Sequence, residues 1–153
     1  IPGYMKAGSY DVICNLKDYG QPRLTSSQAF TIIVNDTPVS VTVSSPDRDA
    51  HEDGIEPGKF VIRRTENGSG KELRVNYKML GTAINGVDYE PLDGIAIIPA
   101  GELETQITLK PIDDDLPENK EGAILYIKTN KIYNIEAPRS ARVYIHDNDS
   151  RME

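Results

Sequence analysis

From residue 39 onward, apolar side chains recur at every second position in short runs. Val39, Val41 and Val43 alternate through 39–45, and Phe60 and Ile62 through 59–65. Leu73, Val75, Tyr77 and Met79 do the same through 72–80, and Leu103, Thr105, Ile107 and Leu109 through 102–112. Side chains alternate across a strand, so each run predicts a strand with one buried face. Shorter β-branched runs at 94–98, 123–129 and 141–146 complete a set of seven. Turn chemistry separates them at Asn67-Gly68-Ser69-Gly70 and Pro99-Ala100-Gly101. No stretch carries a helical period longer than a turn, so residues 38–149 are expected to be one all-β domain of two packed antiparallel sheets.

Residues 1–37 predict an extra N-terminal two-strand segment. Tyr10, Val12, Cys14 and Leu16 alternate with polar neighbours, Asp18 to Pro22 supply a turn, and 29–34 is a second β-branched run. Two strands alone are marginal in water. The segment is therefore expected to be the end of a neighbouring domain, with Cys14 in its core. The expected fold is an immunoglobulin-like antiparallel Greek-key sandwich of about seven strands preceded by this segment, with 150–153 a tail. The Cys…Trp…Cys pattern of antibody domains is absent.

Composition narrows the function classes. The 153 residues carry 24 acidic against 17 basic side chains, a formal net charge of −7. That excess disfavours nucleic acid and anionic membrane surfaces as partners. No apolar run is long enough to span a bilayer, so direct membrane insertion is not expected. One cysteine permits no internal disulfide and no cysteine-based zinc site, and does not decide the compartment. The chain opens on Ile rather than Met and on no signal-peptide pattern, which suggests a processed product or an excised piece.

The acidic residues are not evenly spread. Asp113-Asp114-Asp115-Leu116-Pro117-Glu118-Asn119-Lys120-Glu121 packs five carboxylates around one lysine. Like charges this close repel and raise one another's pKa, a cost that a hard cation such as Ca2+ removes by taking six to eight oxygen ligands. If successive strands run antiparallel, four acidic segments meet at one pole. They are Asp47, Asp49, Glu52, Asp53 and Glu56 after the first strand, Asp88, Glu90 and Asp93 after the third, the 113–121 run after the fifth, and Asp147 with Asp149 after the last. More than half of the acidic residues then share that pole, which favours a cation site over a solvated acidic turn. His51 and His146 read as lone, solvated residues beside it. Asp147-Asn148-Asp149-Ser150 begins like an EF-hand loop but lacks its Gly and distal Glu. The carboxylates lack the aromatic-lined groove of a glycosidase, and no nucleophile motif is present, so an enzyme is not expected.

A family resemblance follows from these residues. Glu52-Asp53-Gly54, the run from Gly81 to Tyr89, Ile97-Ile98-Pro99-Ala100-Gly101, Pro111-Ile112-Asp113-Asp114-Asp115 and Ile145-His146-Asp147-Asn148-Asp149 resemble, in order and spacing, a Calx-β domain over 38–149. Such modules occur in sodium/calcium exchangers, in an integrin β subunit and in large extracellular proteins. The resemblance implies Ca2+ ligands at Glu52, Asp88, Asp113, Asp114, Glu118, Glu121, Asp147 and Asp149. Asn148 stands where the exchanger domain has a further Asp, and Pro117 is unusual in the acidic loop. Residues 1–37, with Ala7-Gly8-Ser9-Tyr10 and the 18–22 turn, resemble the last two strands of a cadherin-like or bacterial immunoglobulin-like domain. The implied function is a calcium-binding structural module of a larger extracellular or cell-surface protein in adhesion or communication. Its implied partners are calcium ions and neighbouring domains, with cell-surface or matrix proteins as further candidates. A calcium-independent spacer or adhesive module with a vestigial site and a calcium-sensing regulatory domain are the alternatives.

Overall fold

The computed structural model describes residues 8–17, 19–21, 25–34, 39–66 and 70–149. Two compact units divide the chain between Thr37 and Pro38. In the first, β1 (Gly8–Lys17) and β2 (Thr25–Val34) form an antiparallel hairpin in unbroken register from Gly8 opposite Val34 to Lys17 opposite Thr25. Ile13 points to solvent, 63% exposed. The side chains of Tyr10, Val12, Cys14 and Leu16, expected inward, are not among those described, and Asp18, Pro22 and the 150–153 tail lie outside the described residues.

The second unit is a two-sheet sandwich. One sheet orders β10 (Tyr133–Ile135), β3 (Val39–Asp47), β5 (Gly58–Arg64) and β8 (Glu104–Leu109). The other orders β4 (Asp49–His51), β11 (Ser140–His146), β9 (Glu121–Ile127), β6 (Leu73–Gly81) and β7 (Ile95–Ile98). The alternating residues of the sequence fill the space between. Val41, Val43, Phe60, Ile62, Val75, Leu125 and Val143 are almost wholly excluded from water. Burying each of the larger ones is worth about 1.5–3 kcal/mol. Gly58 marks how closely the sheets approach, since a Cβ there would stand 2.4 Å from a Val143 methyl.

Several expectations need correction. The sandwich is not purely antiparallel, because β10 runs parallel to β3 and β4 parallel to β11. Both strands have only three residues, too short for a period-two signal to stand out. The run at 102–112 is strand only from Glu104 to Leu109: the Glu102 amide closes a turn on the Pro99 carbonyl, and Pro111 offers no amide. Leu103, expected inward, is 38% exposed.

The first strand of the sandwich changes sheets. β3 pairs with β5 until the register shifts between Ser44 and Asp47, around Pro46, which cannot donate to a ladder. The chain crosses at Arg48, whose carbonyl accepts the Tyr144 amide at 2.7 Å, and β4 then follows β11. This crossing carries Glu52 beside the end of β11.

Candidate metal centre

Glu52 heads a tight hairpin turn. His51 and Glu56 exchange backbone hydrogen bonds of 2.8 and 2.9 Å, the Ile55 amide closes on the Glu52 carbonyl, and the Glu52 amide donates to the His146 carbonyl at 3.1 Å. Gly54 and Ile55 both take positive φ, 75° and 52°. That conformation is uncommon for a β-branched residue. Through the turn, the Glu52 side chain is buried against the end of β11.

Asp88 is placed by a loop that leaves β6 at Gly81. There φ is +118°, and a Cβ would come within 1.9 Å of the Gly122 carbonyl oxygen. Only glycine fits that approach. The Thr82 amide donates to the same carbonyl, and the Gly122 amide donates to Thr82 Oγ1 at 2.9 Å. Asn85 clamps the loop by exchanging two 2.9 Å bonds with the Leu92 backbone. Tyr89, fully buried, anchors it. Asp88 Oδ2 accepts the Ile84 amide, and the Asp88 carbonyl accepts the Ile112 amide, tying this loop to the acidic one.

The acidic run crosses the same pole. Asp114 Oδ1 accepts the Leu116 amide, and Asp147 Oδ2 accepts the Glu118 amide at 2.6 Å. Asp147 Oδ1 accepts the Asp149 amide, and the Asn148 side-chain amide donates to Asp113 Oδ1 at 3.2 Å. Two clusters result, in each of which the carboxylate oxygens lie within 4.8 Å of one another: Glu52, Asp147 and Asp149, and Asp88, Glu118 and Glu121. The eight acidic residues that the resemblance implies as ligands thus meet at one pole. Asp113 and Asp114 belong to neither cluster and stand exposed at its rim.

The electrostatics show a pole short of positive charge. Burial, then the charges of Asp147, Asp114, Glu118 and Asp113, pushes Glu52 up to about 7. Burial and the nearby carboxylates of Asp88 and Glu118 push Glu121 up to about 7. Glu118 and Asp149 are raised by the same causes, burial first. Asp147 is instead lowered, because the backbone amides of Asp149 and Glu118 hydrogen-bond its ionised form. Glu121 Oε2 and Asp149 Oδ2 are buried without a hydrogen-bond partner. Lys120 does not fill the gap, since it lies over the Tyr144 ring and 3.7 Å from Asp49. Carboxylates alone, clustered and partly desolvated, are the donor set of a hard divalent cation.

Some expected members sit elsewhere. Glu90 pairs with Lys110 at 2.6 Å, and Asp93 caps the Ile95 amide beside Tyr77, partway along β6. The histidines are not isolated: the His51 and His146 rings stack at 4.4 Å, and His146 Nε2 lies 2.6 Å from Asp49 Oδ1. Pairing between β4 and β11 sets them opposite one another. Recognising 49–51 as a strand is the step that would have revealed this.

The Calx-beta domain family profile matches residues 34–149. The fold is similar to the apo-form Calx CBD1 domain, at 22% identity and TM-score 0.57 over 74% of this chain and all of that one. It is also similar to the calcium binding domain CBD12 of CALX1.1, at 24% identity and TM-score 0.56 over 70% of this chain and 44% of that one. For the Calx CBD2 domain the values are 14% and 0.51 over 70% of this chain and 86% of that one. No curated protein matches the chain.

Proposed function

The chain belongs to the Calx-beta domain family, and from that premise we propose that its 38–149 part binds Ca2+ at the acidic pole. The observation that supports this most is the pair of carboxylate clusters, each with a buried oxygen that no protein donor satisfies. Calcium would be held by Glu52, Asp147 and Asp149 in one cluster and by Asp88, Glu118 and Glu121 in the other. Asp113 and Asp114 would complete the shells from the rim. Bound calcium removes the repulsion that burial and crowding impose on Glu52 and Glu121, and it supplies the partners that Glu121 Oε2 and Asp149 Oδ2 lack. The residues of this chain do the rest: Asp147 is held ionised by two backbone amides, and Gly81 and Asn85 fix the loop that carries Asp88.

The consequence is structural. β11 runs directly into Asp147 and Asp149, so a cation there pins the chain where it leaves the sandwich. We read the protein as a junction-stiffening module of a larger extracellular or cell-surface protein serving adhesion or communication. A sensor role would require micromolar affinity, whereas extracellular modules bind in the range of about 10⁻⁴–10⁻³ M. Calorimetric titration of the whole chain with Ca2+ tests the reading. Saturable binding that Asp147→Asn with Glu121→Gln removes is expected. A heatless titration at millimolar calcium would leave a calcium-independent spacer.

A further inference from the structure

The two outer faces of the sandwich carry different charge patterns. On the four-stranded sheet opposite signs meet: Arg63 stands opposite Glu104 and bonds to it, and Lys59 stands opposite Asp47. On the five-stranded sheet they meet at one edge, at Asp49 on β4. Residues directly opposite one another share a face. Register sets Arg74 opposite Ile97, Lys78 opposite Tyr126, and Leu80 opposite Ile124, which itself faces Arg142. Tyr144 continues the face to Asp49 on the edge strand β4. Lys120 and Arg142 lie over the Tyr144 ring, and Lys78 and Arg139 over the Tyr126 ring, at 4.4 to 5.7 Å. Asp49 is the one carboxylate among these registered positions, and His146 and Lys120 already engage it.

Five cations therefore gather on one face of a chain whose net charge is −7. Interleaved with them, Ile95, Ile97 and Leu80 are 38%, 42% and 42% exposed. Stacking on tyrosine holds four of the cations in place, which lowers the entropy they would lose on meeting a partner. We propose that the outer face of the five-stranded sheet is a docking surface for an acidic polypeptide whose carboxylates alternate with apolar side chains. Charge complementarity selects the acid. The exposed aliphatics select a polypeptide over a sulfated polysaccharide, which would pair with the cations and leave Ile95, Ile97 and Leu80 facing water. The tyrosine ring faces that sugars stack on are already covered by cations. Successive outward positions on a strand lie about 7 Å apart, the spacing at which an extended peptide presents its own.

The test uses the whole chain with a fluorescein-labelled (Glu-Glu-Val-Val)3 peptide, which puts carboxylate and valine in alternation on each side. Its Glu→Gln counterpart and heparin serve as comparisons. Anisotropy should report saturable, salt-sensitive binding of the Glu peptide, the same in calcium and in EDTA, and none of the Gln peptide. Amide chemical shifts should move at 74–80, 95–97, 122–126 and 140–144. Lys78→Glu with Arg142→Glu should weaken binding at least tenfold. Should that variant not fold, Lys78→Gln with Arg142→Gln should weaken it in the same direction. Shifts confined to other surfaces, affinity indifferent to these variants, or heparin binding this face while the peptide does not would each overturn the proposal.

Discussion

Glu52 and Glu121 set the pH behaviour of the pole. Both are raised from an ordinary carboxyl value to about 7 by burial and neighbouring carboxylates. A group whose folded pKa is raised stabilises the fold fully below its unfolded pKa, and that contribution is lost as pH rises through the folded value. Without calcium the melting temperature should therefore fall between about pH 4.5 and 7, which thermal melts in EDTA across that range would measure. Calcium must displace those protons, so its affinity should rise from pH 6 to 8, and calorimetry near pH 7 in buffers of different ionisation enthalpy should detect proton release. A heat of binding independent of buffer would contradict these assignments. Asp147 acts differently, since its charge is already favoured by two amides. Asp147→Asn should lower calcium affinity at least tenfold, about 1.4 kcal/mol, and should also lower apo stability, because Asn keeps only one of the two oxygens that accept the Glu118 and Asp149 amides. Parallel calcium titrations and EDTA melts of the variant would separate the two effects.

Among the elements, the short connections decide more than the long strands. Gly81 lets the loop bearing Asp88 leave β6 against the Gly122 carbonyl. Gly81→Ala adds a Cβ where there is no room, at a φ that alanine adopts reluctantly. It should destabilise the sandwich by about 2 kcal/mol or more, measurable by urea denaturation, and weaken calcium binding with it. At the other end Tyr133, on β10, donates its hydroxyl to the Lys128 carbonyl at 2.8 Å and accepts the Asn76 amide at 3.1 Å. Removing one partner of buried groups costs about 1–3 kcal/mol. Tyr133→Phe should therefore destabilise without changing calcium affinity. A calcium defect in that variant would mean that the two poles are coupled.

For the whole molecule, polarity is the main property. The acidic pole gathers four segments distant in sequence, while the opposite end is held by a buried cation and backbone carbonyls. There the buried Arg64 guanidinium donates to the carbonyls of Lys71, Pro99 and Glu102. A ligand that binds only the folded form stabilises it by about 2.7 kcal/mol at a hundredfold excess over Kd. That gain should be felt first where the ligands are. Calcium should slow amide exchange at 113–121 and 145–149 and leave 130–139 nearly unchanged, as hydrogen exchange with and without EDTA would show. Equal protection at both ends would rule out a local junction role.

The main strands and the two-sheet architecture were legible in the sequence, because alternation along a strand encodes which face is buried, whereas the eight implied ligand positions came from the family resemblance. Topology alone then forced the acidic loops to one end. What the sequence did not determine was the change of sheet at Pro46 and Arg48, the parallel strands β4 and β10, and the pairing of His51 with His146. Three-residue strands carry too few positions for a period to register, and a parallel partner is chosen by distant segments rather than by neighbours in the chain. The division of the carboxylates into two clusters, and the separation of Glu90 and Asp93 from them, were likewise decided only in three dimensions. Sequence fixes how many charges enter a loop, but the hydrogen bonds that aim each side chain come from backbone groups brought near by folding.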